Sequence, residues 1–204
     1  MRRCLAILAA CTLASFAVGA FSLNVELGIG GAAMTYVNGL IGEHEALTHE
    51  GLRDLGPALT GRIGAVLNPI TSGIRPEIGL ELATTSVRAR DTTVNAAIVG
   101  GYAGLAYSIG GGHVSAAIDG YRGSFSFPAA RYVDLAGWGV GVHGGVGYGI
   151  QLAGERLVLR LSLVAQWMPV WNLSDTEGLE YRGRGQPFLD FSGIGVSLGV
   201  EWRN

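Results

Sequence analysis

The stretch Trp138–Leu152 reads WGVGVHGGVGYGIQL, and its two parities differ in chemistry. Trp138, Val140, Val142, Val146, Tyr148, Ile150 and Leu152 share one parity. Gly139, Gly141, His143, Gly145, Gly147, Gly149 and Gln151 share the other. A period of two sends successive side chains to opposite faces of a strand, whereas a helix would mix these two sets. The segment is therefore a strand with one continuous apolar face and one face of glycine and a few polar groups.

The same alternation recurs along the chain. Ile194, Val196, Leu198, Val200 and Trp202 alternate with Gly193, Gly195, Ser197, Gly199 and Glu201. Leu157, Leu159, Leu161, Leu163, Ala165 and Trp167 oppose Arg160, Ser162 and Gln166. Ile78, Leu80 and Leu82 oppose Glu77, Gly79 and Glu81; Leu59, Ile63, Ala65 and Leu67 oppose Thr60, Arg62, Gly64 and Asn68. Leu23, Val25, Leu27 and Ile29 oppose Asn24, Glu26, Gly28 and Gly30. Val114–Phe127 alternates through Ile118 and is then expected to shift register near Asp119-Gly120, where a bulge fits. Val94–Tyr107 is apolar on both faces and completes an even count of eight.

Composition says which solvent the apolar faces meet. The chain has 204 residues, 49% of them hydrophobic and 15% charged, with a mean hydropathy of +0.35 and 34 glycines. Beyond the N-terminus no run approaches the roughly 20 apolar residues of a membrane helix. Six prolines without a Gly-X-Y period exclude collagen, and so apolar a chain is not disordered. A water-soluble barrel would hide the Leu/Val/Ile stripe inside and need a polar outer wall. The opposite parity here carries too few polar groups to be one. The sequence thus specifies an all-β fold, an eight-stranded antiparallel up-and-down transmembrane β-barrel, with apolar parity outward to lipid and the other parity inward.

The connections agree. Segments 37–56, 85–93, 128–137 and 172–188 are long or polar and are expected on the outer side; 69–76, 108–112 and 153–156 are short turns on the inner side with both termini. Trp138, Trp167, Trp171 and Phe188 fall near the outer rim, and Tyr107, Tyr148 and Trp202 near the inner one, as two interfacial girdles. On these strands, loops and aromatic ends the chain over residues 21–204 resembles the small eight-stranded outer-membrane proteins of the OmpA-transmembrane, OmpX and OmpW-like group. That resemblance implies a bacterial outer-membrane location, and as partners the outer-membrane lipid and the barrel-insertion machinery.

Met1-Arg2-Arg3 followed by the apolar run Leu5–Phe21, with Val18-Gly19-Ala20 at its end, reads as a signal peptide over 1–20 and a barrel over 21–204. Leu8-Ala9-Ala10-Cys11 is an alternative, lipobox-like processing site. Both cysteines, Cys4 and Cys11, lie in the leader, so the mature chain offers no disulfide, thiolate–metal site or cysteine nucleophile. All 14 basic residues are arginine. Losing Arg2 and Arg3 leaves 12 against 16 acids, about −4, which is no footprint for nucleic acid.

The inward charged residues define the candidate site: Glu26, Arg62, Glu77, Glu81, Asp119, His143, Arg160 and Glu201. A strand hairpin centred near residue 72 sets Arg62 opposite Glu81. Arg160 is expected near Glu201, with Glu26 beside them on closure. An eight-stranded lumen is only wide enough for its own side chains, so these charges need partners. Three functions remain open. A narrow, cation-preferring porin-like channel uses the surplus of inward acids and the space left by inward glycines. A plugged structural or adhesive barrel engages an extracellular ligand through 37–56 and 172–188. A lipid-modifying enzyme would rest on His113 and Ser115, which resemble the His-x-Ser pair of outer-membrane lipid A deacylases. His44 and His49 with Glu43, Glu45 and Glu50 read as a solvated, charged loop rather than a metal trap. No catalytic residue, cofactor or metal ligand is assigned.

Overall fold

The computed structural model describes residues 21–70, 73–90, 92–152 and 156–203. The signal-peptide reading of 1–20, including Cys4 and Cys11, lies outside them. The chain runs through β1 (Phe21–Gly30), α1 (Thr35–Thr48), β2 (Ala58–Leu67), β3 (Ile74–Ala89), β4 (Thr92–Ile109), β5 (Gly112–Phe127), β6 (Tyr132–Gln151) and β7 (Leu157–Trp167). The short strands β8 (Pro169–Val170), β9 (Asn172–Ser174), β10 (Glu180–Arg182) and β11 (Leu189–Asp190) follow, and β12 (Gly193–Arg203) ends it. Strands β1 to β7 pair antiparallel in sequence order, and β12 pairs with both β7 and β1. Eight staves thus close a ring with no free edge, which satisfies the backbone where lipid offers no hydrogen bonds.

The outward parity is exposed: Leu27, Leu59, Ile118, Trp138, Val140, Leu161 and Ile194 all point away from the ring. In lipid this is a bilayer-facing belt. Trp138, Trp167 and Trp171 are exposed at the outer end, and Tyr107, Tyr148 and Trp202 at the inner end, as girdles require.

Stave length organises the rest. A bilayer needs about 9–11 residues per strand. β1, β2, β7 and β12 have 10 or 11, whereas β3, β4, β5 and β6 have 16, 18, 16 and 20. The surplus projects beyond the bilayer at the end opposite the termini, as a four-stranded wall. Above the membrane the outer face of that wall meets water and the apolar residues turn inward. Ser86, Arg88, Arg122 and Ser124 are exposed, while Ala83, Val94, Ala96, Ile98, Phe125 and Phe127 are buried.

This inversion corrects three expectations. Segments 85–93 and 128–137 are mostly strand among the described residues: β3 runs to Ala89, β4 starts at Thr92, and a 3-10 turn, Pro128–Ala130, links β5 to β6. No register shift occurs at Asp119-Gly120. Asp119 pairs in order with Tyr102 and Gly141, and the irregularity lies between Phe125 and Phe127. The alternation runs on, but its inward side changes from ionic to aromatic. Phe188, expected in the outer girdle, is buried.

Segment 37–56 is also more ordered than a loop. α1 presents Val37 and Ile41 on one side, both buried, with Met34 just before its start buried beside them. It lies with residues 168–191 over the low rim formed by β1, β2, β7 and β12. Together they pack against the wall as an apolar core that includes Leu55, Ile98, Tyr121, Phe125, Leu135, Met168, Leu173, Phe188 and Phe191. The ring of Phe188 is central: its centroid is 5.0 Å from Tyr36, 5.4 Å from Phe125 and 6.2 Å from Tyr132.

Candidate functional site: the lumen and its cap

Of the eight charged residues expected inside, Arg62, Glu81, Asp119, His143, Arg160 and Glu201 are buried within the ring and Glu26 and Glu77 are half-buried, with Arg75 and Arg203 beside them. Parity already put Arg75 on the face of Glu77, and Arg203 on that of Glu201. At the inner end Glu201 is fully buried and takes three arginines: Arg75 Nη1 at 3.1 Å, Arg203 Nε at 3.1 Å, and Arg160 through Nη2. Arg75 also donates to Ser22 Oγ at 2.8 Å. The expected Arg160–Glu201 pair is therefore present, inside a larger cluster.

Nearer the outer end Arg62 Nε donates to Glu81 Oε2 at 2.5 Å, the partner expected from the hairpin register. His143 Nδ1 lies 2.8 Å from Asp119 Oδ1 and 3.8 Å from Glu81 Oε2. Glu26 is directly cross-strand from Arg62 and is held by Asn24 Nδ2 at 3.1 Å and Ser197 Oγ at 3.5 Å. Tyr102 donates to Glu77 Oε1 at 3.0 Å. His113 Nε2 is hydrogen-bonded to Ser162 Oγ of β7 at 3.0 Å. Inward acids still outnumber inward arginines, but by five to four instead of five to two.

The inward glycines serve close packing. A Cβ on Gly64 or Gly79 would strike the Tyr102 ring, one on Gly139 the Tyr121 ring, and one on Gly147 both His113 and Ser162. The volume that a row of glycines leaves is filled by aromatic and imidazole rings from neighbouring strands. Between the two charge layers, a space lined by Glu26, Arg62, His113, His143 and Arg160 measures about 20 Å³. That is room for about one water. An open vestibule of about 370 Å³ occupies the inner mouth, between Ser108, His113, Tyr148, Gln151, Arg160 and Arg203.

Gln166 joins the ionic layer to the cap. It accepts from Arg62 Nη2 at 3.2 Å and donates to the Phe191 carbonyl at 2.7 Å. Tyr121 does the same from β5, donating to the Pro169 carbonyl at 2.9 Å. Above these bonds the apolar core fills the lumen beneath α1 and 168–191. On the water side of the cap, Glu45 accepts the backbone N–H groups of Gly51 and Leu52, each at 2.9 Å, and these hold its carboxyl below the ordinary range. Asp175 is lowered in the same way, chiefly by the N–H of Leu179, at the turn between β9 and β10. His44 packs edge-on against Phe127 and lies 3.8 Å from Glu50, so the first outer segment is knitted into the cap.

Fold and lipid-facing belt together make this chain an outer-membrane-type β-barrel. The fold is shared with a solved structure. The chain is similar to neisserial surface protein A, with a TM-score of 0.51 and 14% identity over 91% of this chain and 99% of that one. It also matches a major outer membrane protein from Thermus thermophilus, with a TM-score of 0.46 and 12% identity over 90% and 99% of the two chains. The Escherichia coli outer membrane protease OmpT matches at 0.37 and 6% identity over 91% and 97%. No protein-family model and no curated protein matches the chain.

Proposed function

We propose that the protein is a closed barrel of the bacterial outer membrane, a structural or adhesive scaffold that meets other molecules through its outer cap. The observation that carries this reading is the apolar core in the outer mouth. Phe125, Phe127, Phe188 and Phe191 are buried there with Met34 and with Val37 and Ile41 of α1, where a conducting pore needs a continuous wet path. The ionic layer below adds a second barrier, since moving a solute through it would separate buried pairs. The narrow-channel reading draws on the surplus of inward acids, but Arg75 and Arg203 reduce that surplus and the filled glycine rows remove its volume. The deacylase-like reading loses support because His113 engages Ser162 and faces the inner vestibule.

The cap offers a surface for a partner. Leu47 of α1 and Leu179 before β10 are 84% and 61% exposed on its water side, beside the charged Glu43, Arg53, Glu177 and Arg182. Proteoliposomes carrying the barrel are expected to swell in pentose solution no faster than empty ones. A photo-crosslinker installed at Leu47 in intact cells is expected to capture an external or neighbouring surface component. Rapid swelling together with no adduct would overturn the proposal.

A further inference from the structure

We infer that the barrel interior holds one divalent transition-metal ion, zinc by its donor chemistry, between Glu81, Asp119 and His143. The reading is independent of whether the cap binds a partner. Three strands bring the ligands together: β3 supplies Glu81, β5 Asp119 and β6 His143. Their ligand atoms lie within 4.8 Å of one another, and all three residues are buried.

Two observations point to a cation in this cluster. First, each carboxylate has a free hand. Glu81 Oε2 serves Arg62 and Asp119 Oδ1 serves His143, while Glu81 Oε1 and Asp119 Oδ2 are buried with no hydrogen-bond partner. A buried oxygen left unpaired costs its full desolvation penalty, and a metal ion removes that cost. Second, the local charge does not close. Arg62 is attracted by three carboxylates, Glu81, Glu26 and Asp119. Three carboxylates gather about one guanidinium, an excess of negative charge that a divalent cation offsets. Glu201, by contrast, has three arginines and needs no ion.

The geometry needs little adjustment. Zinc binds imidazole nitrogen and carboxylate oxygen at about 2.0–2.2 Å, which sets ligands on a tetrahedral ion roughly 3.4 Å apart. The present separations from His143 Nδ1, 2.8 Å to Asp119 and 3.8 Å to Glu81, bracket that value. Coordination through Nδ1 moves the imidazole proton to Nε2 and replaces the His143–Asp119 hydrogen bond. The two separations from Nδ1 are to Asp119 Oδ1 and Glu81 Oε2, and Glu81 Oε1 and Asp119 Oδ2, free of hydrogen bonds, remain available to the ion as second oxygens. The space of about 20 Å³ beside His143 and Arg62 has room for one water next to the imidazole. His113 and Arg160 line both this space and the inner vestibule.

The test uses the full-length barrel extracted in detergent, stripped with a chelator, equilibrated with Zn²⁺ and desalted. Wild type is expected to retain one zinc per chain. Asp119→Asn and His143→Gln are each expected to lower affinity about tenfold or more, as loss of metal-site groups does. The His44→Gln/His49→Gln variant, altered only in the outer segment, should bind like wild type. X-ray absorption of the zinc-loaded wild type should report one imidazole with oxygen donors, and this holds even if the lumen variants fail to fold. Zinc retained no better than background, a site lost in the His44/His49 variant, or two or more imidazoles on the metal would each overturn the proposal.

Discussion

Replacing Phe188 by alanine tests whether the cap is a packed plug. The ring is 1% exposed and touches Tyr36, Phe125 and Tyr132. Truncating a buried phenylalanine costs about 3–5 kcal/mol, part of it the cavity left behind. The eight staves are held by a closed ladder that does not involve Phe188. The cost therefore falls on local opening of 168–191 and α1 rather than on the barrel. At about 1.4 kcal/mol per factor of ten, even the lower figure raises the open fraction roughly 100-fold. Hydrogen exchange read by mass spectrometry reports this directly. The Phe188 and Phe191 amides donate to the Val170 and Met168 carbonyls at 2.8 and 3.2 Å and are protected only while the segment is folded. Peptides covering 168–191 should exchange roughly 100-fold faster in the variant, and those of β1 to β4 should not change. Unchanged exchange in 168–191 would refute the packed cap. Equal acceleration in the staves would refute its independence from the barrel.

Other outcomes follow from the same geometry. Arg62→Gln and Glu81→Gln should each destabilise the barrel to urea by about 3 kcal/mol, the usual cost of orphaning a buried charge. Their double variant should fall short of the sum by about 1 kcal/mol or more, whereas additive losses would mean the two side chains are not coupled. Glu45 has a carboxyl lowered below its unfolded value of 4.5 by the Gly51 and Leu52 amides. A depressed acid contributes stability that is complete above the unfolded value and lost as pH falls through the folded one. The Gly51 and Leu52 amide resonances should therefore move together below pH 4.5, and Glu45→Gln should abolish the transition. Protease added to intact cells should cut at exposed Arg53 or Arg182 and spare Arg75, whose guanidinium is tied to Glu201 and Ser22; cleavage at Arg75 alone would invert the orientation.

Parity made the staves legible in the sequence, and with them the Arg62–Glu81 and Arg160–Glu201 pairs, because a two-residue period fixes both face and register. The same rule already held Arg75 and Arg203, which share parity with Glu77 and Glu201; treating them as turn and terminus hid them. The cap was illegible for a different reason. Parity assigns a residue to a face, but the solvent beyond that face changes along one strand. In the bilayer the apolar side of β5 is Val114 and Ile118; above it, the apolar side is Tyr121, Phe125 and Phe127. A fixed rule of apolar-outward therefore read a continuous strand as a slipped one. α1 escaped because Gly39 and Gly42 weaken its helical signal and no side chain caps its start at Met34. The Asp119–His143 contact joins residues on neighbouring strands that are not directly paired, Asp119 facing Gly141 and His143 facing Ala117, so only the built register reveals it.

Ion conductance of the full-length protein in a planar bilayer tests the closed lumen most directly. The apolar cap over a paired ionic layer predicts a folded, inserted and electrically silent barrel. Stable, discrete, cation-preferring steps from the same preparation would contradict it and return the inward acids to the role of a pore lining.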